Sequence, residues 1–330
     1  MTTWIFTPVY RDVRSFRILR ERLLEVIERD LPERRGSVRF VVIDDTAGQD
    51  PEVADLTGLE DVTVLRPPFN LGHQRALVYA LRKALPRIAD EDALVTLDAD
   101  GEDRPEDLPR LLGAMDAEPA GQRPVVLALR TKRRESIGFK VFYRLFRLLF
   151  RSLTGTTVRS GNFAVLPGSI AKRALLHPTF DLSYSSAILA LDLPIAYVPC
   201  ERGERYEGRS KMTYGKLAMH GLRMLMPFTD RIAIRALGTF VFFGVLGALL
   251  AAVVVGLKLF GSTVPGWTSY IALGSLIVSL VALGNFVSLF VLFSQTRAVS
   301  LANIEEIDRG EDPFALPPAA GERAPSLEGR

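Results

Sequence analysis

Four acidic side chains follow a short apolar stretch in the first third of this 330-residue chain. The apolar stretch 94–97 predicts a buried strand, and Arg104-Pro105 marks the start of a helix. Between them lie Asp98, Asp100, Glu102 and Asp103. Ligands of α/β sheets bind at the carboxyl ends of the strands, and two aspartates one residue apart can both face one hard cation. The pattern indicates a Mg²⁺ or Mn²⁺ site that also holds substrate phosphates, with a solvated acidic helix start as the alternative.

The rest of the first 130 residues alternates between strand and helix patterns. Continuous apolar runs predict parallel strands that are covered on both faces, and helical spacing of apolar residues predicts the helices. The predicted strands are 3–7, 38–43, 62–65, 94–97 and 125–129, and the predicted helices are 13–29, 71–85 and 105–115. This alternation predicts an α/β fold with a doubly wound, mostly parallel sheet. Asp44 and Asp45 end the second strand, so acids follow two strands of the same sheet.

Composition narrows the function classes. The single Cys200 excludes internal disulfides and suits a reducing compartment. The apolar run at residues 4–6 is too short for a signal peptide, so we expect the polar part of the chain to stay cytoplasmic. The chain has no Walker A sequence and no Gly-x-Gly-x-x-Gly turn after its first strand, which disfavours nucleoside triphosphatases and dinucleotide enzymes.

Four segments, in order over about the first 110 residues, resemble the family 2 glycosyltransferases with the GT-A fold. They are Thr7-Pro8-Val9-Tyr10-Arg11-Asp12, the segment 42–50 with Asp44-Asp45, Asp98-Ala99-Asp100, and Pro105-Glu106-Asp107-Leu108. In layout the chain is most similar to dolichyl-phosphate mannose synthases and bacterial polyprenyl-phosphate glycosyltransferases. Arg11 departs from the usual Asn, Thr46-Ala47 from Gly-Ser, and Glu102 from a Gln that helps to bind the metal in the polyprenyl-phosphate branch.

The resemblance assigns roles to these positions. It implies metal ligands at Asp98, Asp100 and Glu102, with Mg²⁺ or Mn²⁺ as the cofactor. It implies nucleotide-sugar contacts at a set of residues that follow three strands: Pro8, Val9, Tyr10, Asp12, Asp44, Asp45 and Asp98. The donor would be a UDP- or GDP-linked sugar.

A basic segment, Arg205-x-x-Gly208-x-Ser210-Lys211, resembles the loop that reaches the phosphates in polyprenyl-phosphate glycosyltransferases. The expected catalytic residues are Asp98 and Asp100, together with Arg205, Ser210 and Lys211 from this segment. The expected contacts to the acceptor phosphate are Arg130, Lys140, Arg144, Arg205 and Lys211. As a bare basic loop, the segment could equally bind lipid headgroups.

Four segments after residue 137 are expected to face a membrane. At 138–153 the basic residues Lys140, Arg144, Arg147 and Arg151 form one stripe on an otherwise apolar helix, and 214–228 repeats the pattern. Such helices are typical of a membrane interface, and a buried domain helix is the alternative. Residues 236–257 and 270–293 are uncharged and long enough to span a bilayer. Flanking arginines place both ends of this hairpin on the cytoplasmic side by the positive-inside rule.

The predicted organisation has four parts. Residues 1–212 form a cytoplasmic GT-A domain, 213–235 an interfacial helix, 236–294 a transmembrane hairpin and 295–330 a largely disordered cytoplasmic tail. Small residues in the first span suit close packing within the hairpin or with a neighbouring chain, so a homo-oligomer is left open. The location implied is the inner membrane, with several spans and no nucleic-acid partner.

The resemblance implies an inverting transfer of a sugar from a nucleoside diphosphate to a polyprenyl phosphate. A lipid monophosphate is already ionised at neutral pH, so no general base is required, and no His or Cys in the sequence stands out as one. The alternatives are another lipid or polysaccharide acceptor, or a catalytically idle nucleotide-binding membrane protein. A polymer synthase is disfavoured because the Gln-x-x-Arg-Trp motif is absent and only two spans are predicted.

Overall fold

The structure is a computed structural model that describes residues 1–130, 137–158, 160–207, 214–261 and 266–295. Seven strands and nine longer helices are present in these ranges. The strands are β1 Thr3–Val9, β2 Val38–Asp44, β3 Val62–Leu65, β4 Ala93–Thr96, β5 Val125–Arg130, β6 Ser160–Pro167 and β7 Ile195–Cys200. The helices are α1 Val13–Asp30, α2 His73–Ala84, α3 Leu108–Asp116, α4 Ile137–Thr154, α5 Gly168–Ala174, α6 Tyr184–Ala190, α7 Tyr214–Leu225, α8 Thr229–Leu259 and α9 Trp267–Gln295.

All seven strands form one sheet in the order β3-β2-β1-β4-β6-β5-β7. β6 runs antiparallel to both of its neighbours, β4 and β5, whereas the other pairs in the sheet are parallel. This arrangement confirms the predicted α/β class and the mostly parallel sheet. The sequence analysis did not predict β6 as a strand, although β6 lies near the centre of the sheet.

Helices cover both faces of the sheet, as the continuous apolar strands require. On one face, α1 and α3 pack their apolar stripes against the strands. In α1 the stripe includes Phe16, Leu19 and Leu23, which are fully buried. Burying each such side chain is worth about 1.5–3 kcal/mol, which fixes the position of the helix on the sheet. On the other face, α2, α5 and α6 form a second core with parts of α4 and α7.

The carboxyl ends of β1, β2 and β4 lie at the same edge of the sheet. The register pairs Val9 with Asp44 and Phe6 with Thr96. The residues that follow these strands therefore meet at one edge. This edge carries Tyr10, Asp45 and Asp98. The strand pattern had predicted Asp45 and Asp98 at this edge, and the family resemblance had added Tyr10.

The two C-terminal helices pair with each other and expose apolar side chains along their length. α8 and α9 are both long and apolar enough to cross a membrane. Their exposed side chains include Phe242, Leu249, Leu273 and Leu280. Exposed apolar surface of this extent marks a site of contact with a membrane or with another protein. The turn Met226–Phe228 joins α7 to α8, so the first of these helices continues from the domain that carries the sheet.

Candidate active site

The acidic loop, residues 98–103, leaves the end of β4 as a tight turn. The Glu102 backbone N–H donates to Asp100 Oδ1 over 3.0 Å, and the Asp98 backbone N–H donates to Asp103 Oδ2 over 3.2 Å. Gly101 adopts a positive φ of 87°, in the region where glycine is favoured. The turn brings four carboxylates into a small volume, and each of them has a partner in the chain.

Asp98 is held by two side chains from other elements. His73 Nε2 lies 2.8 Å from Asp98 Oδ1, and the Asn162 amide nitrogen donates to the same oxygen over 3.2 Å. His73 is the first residue of α2, and Asn162 lies on β6. Burial on its own would raise the pKa of Asp98, but the charge and hydrogen bond of His73 outweigh it and lower that pKa. Burial likewise opposes the charged imidazole, yet Asp98 raises the pKa of His73.

Asn162 is itself fixed by a polar network that reaches α6. Its amide oxygen accepts from the Gln74 side chain. Gln74 Oε1 in turn accepts from the backbone N–H of Ser185 over 3.1 Å. On β4, the Thr96 hydroxyl donates to the Asn162 carbonyl over 2.6 Å. This network locks the orientation of the one amide that donates to Asp98.

The arginine loop, residues 202–206, lies directly on the acidic loop. Arg205 Nη2 is 2.9 Å from Asp100 Oδ2, and Arg205 Nε donates to Glu102 Oε1 over 2.8 Å. Arg202 donates to the other oxygen of Glu102. Burial would raise the pKa of Glu102, but the hydrogen bonds from the two arginines lower it below its usual range. Burial and the charge of Asp98 raise the pKa of Asp100, and Arg205 offsets only part of that rise.

Asp103 and Arg130 form a buried ion pair beside Asp98. Arg130, the last residue of β5, places Nη2 3.0 Å from Asp103 Oδ1. Burial and the neighbouring charge of Asp98 raise the pKa of Asp103 to about 6. The structure thus places Arg130, which was expected to hold the acceptor phosphate, in direct contact with the acidic loop through Asp103. Its role toward a phosphate stays a prediction.

The residues expected to contact the nucleotide lie at the same edge. Pro8 and Val9 end β1 with buried side chains, and Tyr10 follows with a side chain that is 56% exposed. Asp12 precedes α1 as its N-terminal cap residue, although its side chain makes no capping hydrogen bond. The exposed Tyr10 ring lies at this edge with the Arg11 guanidinium carbon 6.0 Å from its centroid.

Asp44 and Asp45 are both buried and engaged within the chain. Asp44 accepts hydrogen bonds from the backbone N–H groups of Thr46 and Gly48, each over 3.1 Å, and so shapes the turn after β2. Asp45 Oδ1 accepts from the Leu71 backbone N–H over 2.8 Å. Burial outweighs this hydrogen bond and raises the pKa of Asp45. Their contact with a nucleoside stays a prediction, and each acid already has a structural role.

The remaining predicted acceptor contacts are placed unevenly. Arg144 lies in α4 with an exposed side chain. Lys140 belongs to the same helix, but its side chain is outside the part of the chain that is described, as are Ser210 and Lys211. On α4, exposed Leu145, Leu148 and Leu149 lie beside the basic stripe. This surface has the composition of an interfacial helix.

Sequence reasoning missed three residues at the site: His73, Asn162 and Arg202. His73 and Asn162 lie far from Asp98 in sequence, and only the sheet order brings them to it. The sequence carried one signal for His73, which is that a helix start after a strand faces the same edge as Asp98. No comparable signal was available for Asn162, because its strand was not predicted.

The carboxylates suit a divalent cation only in part. Within the described ranges, no group of three or more His, Cys, Asp or Glu side chains is arranged to hold a metal ion. Mg²⁺ usually takes only one or two protein carboxylates and completes its shell with substrate phosphates and water. Asp98 and Asp100 supply two such hard oxygen donors, and so the donor set fits. Glu102 already uses both of its oxygens on arginines.

A mixed sheet with acidic residues at its carboxyl edge and an arginine loop over them is the arrangement of a glycosyltransferase of the GT-A type. The chain belongs to glycosyl transferase family 2, whose model matches residues 4–174. The protein is therefore a glycosyltransferase, and enzymes of its family generally use divalent metals. The matched range includes the acidic loop, His73 and Asn162.

Two named relatives extend beyond the family range. The chain is 25% identical over 287 residues to the uncharacterized glycosyltransferase YkoT of Bacillus subtilis, covering 81% of this chain and 79% of that protein. It is 25% identical over 277 residues to the undecaprenyl-phosphate 4-deoxy-4-formamido-L-arabinose transferase of Pectobacterium carotovorum, covering 78% of this chain and 76% of that protein. A crystal structure of a mycobacterial protein is 16% identical with a TM-score of 0.45, over 70% of this chain and 74% of that one.

Proposed function

We propose that this glycosyltransferase moves a sugar from a nucleoside diphosphate to a polyprenyl phosphate at the cytoplasmic face of the inner membrane. The observation that carries the proposal is the position of the arginine loop. Arg205 lies on Asp100 at the edge of the sheet, and the chain continues from this loop to α7 and then to the long apolar α8. The loop that would bind phosphate thus contacts the acids and precedes, along the chain, the helices that would face the membrane.

Further support comes from the apolar helices and from the named relative. α8 and α9 are suited to a membrane hairpin, and α4 and α7 both expose leucine or methionine side chains beside basic residues. The Pectobacterium relative is named for transfer to undecaprenyl phosphate. A lipid acceptor with a phosphate head would present that head at the depth of these interfacial helices. The sugar donor would reach the same edge from water.

In the proposed reaction, an oxygen of the lipid phosphate forms the new bond to the anomeric carbon. The bond from that carbon to the donor diphosphate breaks, so the nucleoside diphosphate leaves and the anomeric configuration inverts. The second pKa of a monophosphate is near 6, so the attacking oxygen is already unprotonated at neutral pH and no general base is needed.

Each residue of the site has a task in this scheme. Asp98 and Asp100 would hold a divalent cation, which when bound neutralises charge on the departing diphosphate. His73 and Asn162 hold Asp98 in one orientation. Arg205 and Arg130 supply guanidinium groups, which match the geometry of phosphate oxygens. Tyr10 and Asp45 line the edge where the nucleoside would lie.

The test is a transfer assay with purified protein in lipid nanodiscs and a panel of labelled UDP- and GDP-sugars. We expect label to enter the lipid fraction only when a polyprenyl phosphate is supplied, and Asp100→Asn to abolish this transfer without unfolding the protein. Transfer to diacylglycerol or to a growing polysaccharide, with polyprenyl phosphate inert, would replace the proposed acceptor. Absence of transfer to any acceptor with any donor would refute the proposal.

A further inference from the structure

Glu102 has the environment of a structural anchor. One of its oxygens accepts from Arg205 Nε over 2.8 Å, and the other accepts from Arg202. Its side chain is only 12% exposed. A carboxylate can take two guanidinium groups in this way, whereas an amide has one oxygen and would turn its NH₂ group toward an arginine. The glutamate at this position therefore permits a two-arginine anchor.

The backbone joins the two loops independently of these side chains. The Gly203 N–H donates to the Glu102 carbonyl and the Tyr206 N–H to the Asp100 carbonyl, each over 2.9 Å. At Gly203 the loops approach so closely that a Cβ atom would lie 2.2 Å from the Gly101 carbonyl oxygen. The arginine loop is thus fixed on the acidic loop at Gly203 and at Tyr206, on either side of Arg205, and Arg205 is held within reach of Asp100.

Arg205 bridges the anchor and the metal-site acid. Its Nε is bound to Glu102, and its Nη2 is 2.9 Å from Asp100 Oδ2. The Asp100 side chain is 15% exposed, so little of its carboxylate remains open to water. A guanidinium group and a divalent cation repel each other, and both cannot closely occupy the same carboxylate oxygen. The other oxygen, Asp100 Oδ1, accepts from the Glu102 backbone N–H over 3.0 Å. A cation that binds Asp100 through Oδ2 therefore requires Arg205 Nη2 to move away.

We propose that Glu102 anchors the arginine loop instead of binding the metal, and that Arg205 is a resident cation on Asp100 which the divalent metal displaces. The inference deepens the proposed function, on which its catalytic meaning rests. With Nε still tethered to Glu102, the displaced guanidinium keeps its place in the site and turns its free nitrogens toward the phosphates that arrive with the metal. The acids are thus neutralised before the metal binds, and an arginine is released when it does.

The experiment measures binding of Mn²⁺ alone, by electron paramagnetic resonance, to the purified full-length protein without nucleotide or lipid. Arg205→Gln should tighten Mn²⁺ binding by about tenfold, because it vacates Asp100. Arg202→Gln is the matched control, since it removes the same charge from the same Glu102 but does not touch Asp100. It should change the affinity by less than about threefold. An Arg205→Gln affinity equal to that of the wild type, or weaker, would overturn the displacement.

A second comparison isolates Glu102. In the Arg205→Ala background, adding Glu102→Ala should leave Mn²⁺ affinity within about twofold, because the anchor is not a ligand. A tenfold or greater loss would show that Glu102 binds the metal and would overturn the anchor. Thermal unfolding of each variant confirms that the protein is folded. Neither measurement uses a sugar donor or a lipid, so failure of the proposed acceptor would leave these outcomes unchanged.

Discussion

Asn162 offers a direct test of how the fold supports Asp98, because it contacts the site from a strand that lies far away in sequence. Asn162→Ala removes the amide donor that lies 3.2 Å from Asp98 Oδ1 and the acceptor of the Gln74 side chain. His73 still holds Asp98 at 2.8 Å, so the carboxylate loses one of its two side-chain partners.

The expected loss of activity follows from the type of hydrogen bond that is removed. A hydrogen bond to a charged group contributes about 1.5–3 kcal/mol, and the 3.2 Å length places this one at the lower end of that range. A loss of about 1.5–2 kcal/mol from the transition state slows turnover by about 10- to 30-fold. The Gln74 amide loses an acceptor as well, which costs about 1 kcal/mol or more of folding free energy.

The assay measures transfer rate and thermal stability for wild type, Asn162→Ala and Ser37→Ala. Ser37 donates a 3.0 Å hydrogen bond to the neutral Arg34 carbonyl at the opposite edge of the sheet, so its variant should lose a little stability and no activity. A double-mutant cycle then tests the route of the effect. Asn162→Ala should weaken binding of Mn²⁺ with nucleoside diphosphate in the wild type but not in Asp98→Ala. Equal weakening in both backgrounds would refute the reasoning.

Three further outcomes are expected. Burial, followed by the charge of Asp107, raises the pKa of the Cys200 thiol to about 12. The folded protein should therefore not react with thiol reagents between about pH 7 and 9. Denaturant should expose one reactive thiol per chain. With Cys200 silent, impermeant maleimide added to intact cells should label Phe260→Cys, at the end of α8, but label Leu176→Cys only after permeabilisation. Labelling of Leu176→Cys but not of Phe260→Cys in intact cells would refute the predicted topology, in which both ends of the hairpin are cytoplasmic. Gly203→Ala should force the arginine loop off the acidic loop and slow transfer by more than about tenfold. Gly113→Ala, which meets nothing within 4 Å, should keep full activity, and equal activity of the two variants would argue against tight docking.

The sequence predicted most of the sheet because its parallel strands are buried on both faces. Such strands are continuous apolar runs, and β2 and β3 were placed to within a residue of their observed bounds. β6 was missed because it begins with Ser160-Gly161-Asn162, a polar start that resembles a loop. The short helices α5 and α6 were missed as well, since seven residues are too few to show a helical period.

Part of the site could likewise be predicted from the sequence, and part could not. Asp98, Asp100 and Arg205 belong to local sequence patterns that indicate their chemistry. The pairing of Arg205 with Asp100 and Glu102 joins positions about a hundred residues apart, and nothing in their local spacing predicts it. Glu102 was predicted as a metal ligand from the family resemblance. Its two arginine partners became visible only when the fold brought the loops together.

The position of β6 in the sheet sets an order in which the enzyme can be completed during synthesis. β4 ends at Thr96 and β5 at Arg130, yet they do not pair with each other, because β6 lies between them. Their facing edges stay unpaired until Ser160–Pro167 has been made. At ribosomal rates of about 5–20 residues per second, the 71 residues from Thr96 to Pro167 take roughly 4–14 s.

During this delay the nascent chain presents an open strand edge, which is prone to pair with other chains. It also presents α4, the amphipathic helix that comes between β5 and β6. This amphipathic helix therefore leaves the ribosome before the strand that closes the sheet and carries Asn162 to Asp98. Translation pauses placed between residues 130 and 160 should thus raise aggregation of this protein more than pauses placed after residue 200.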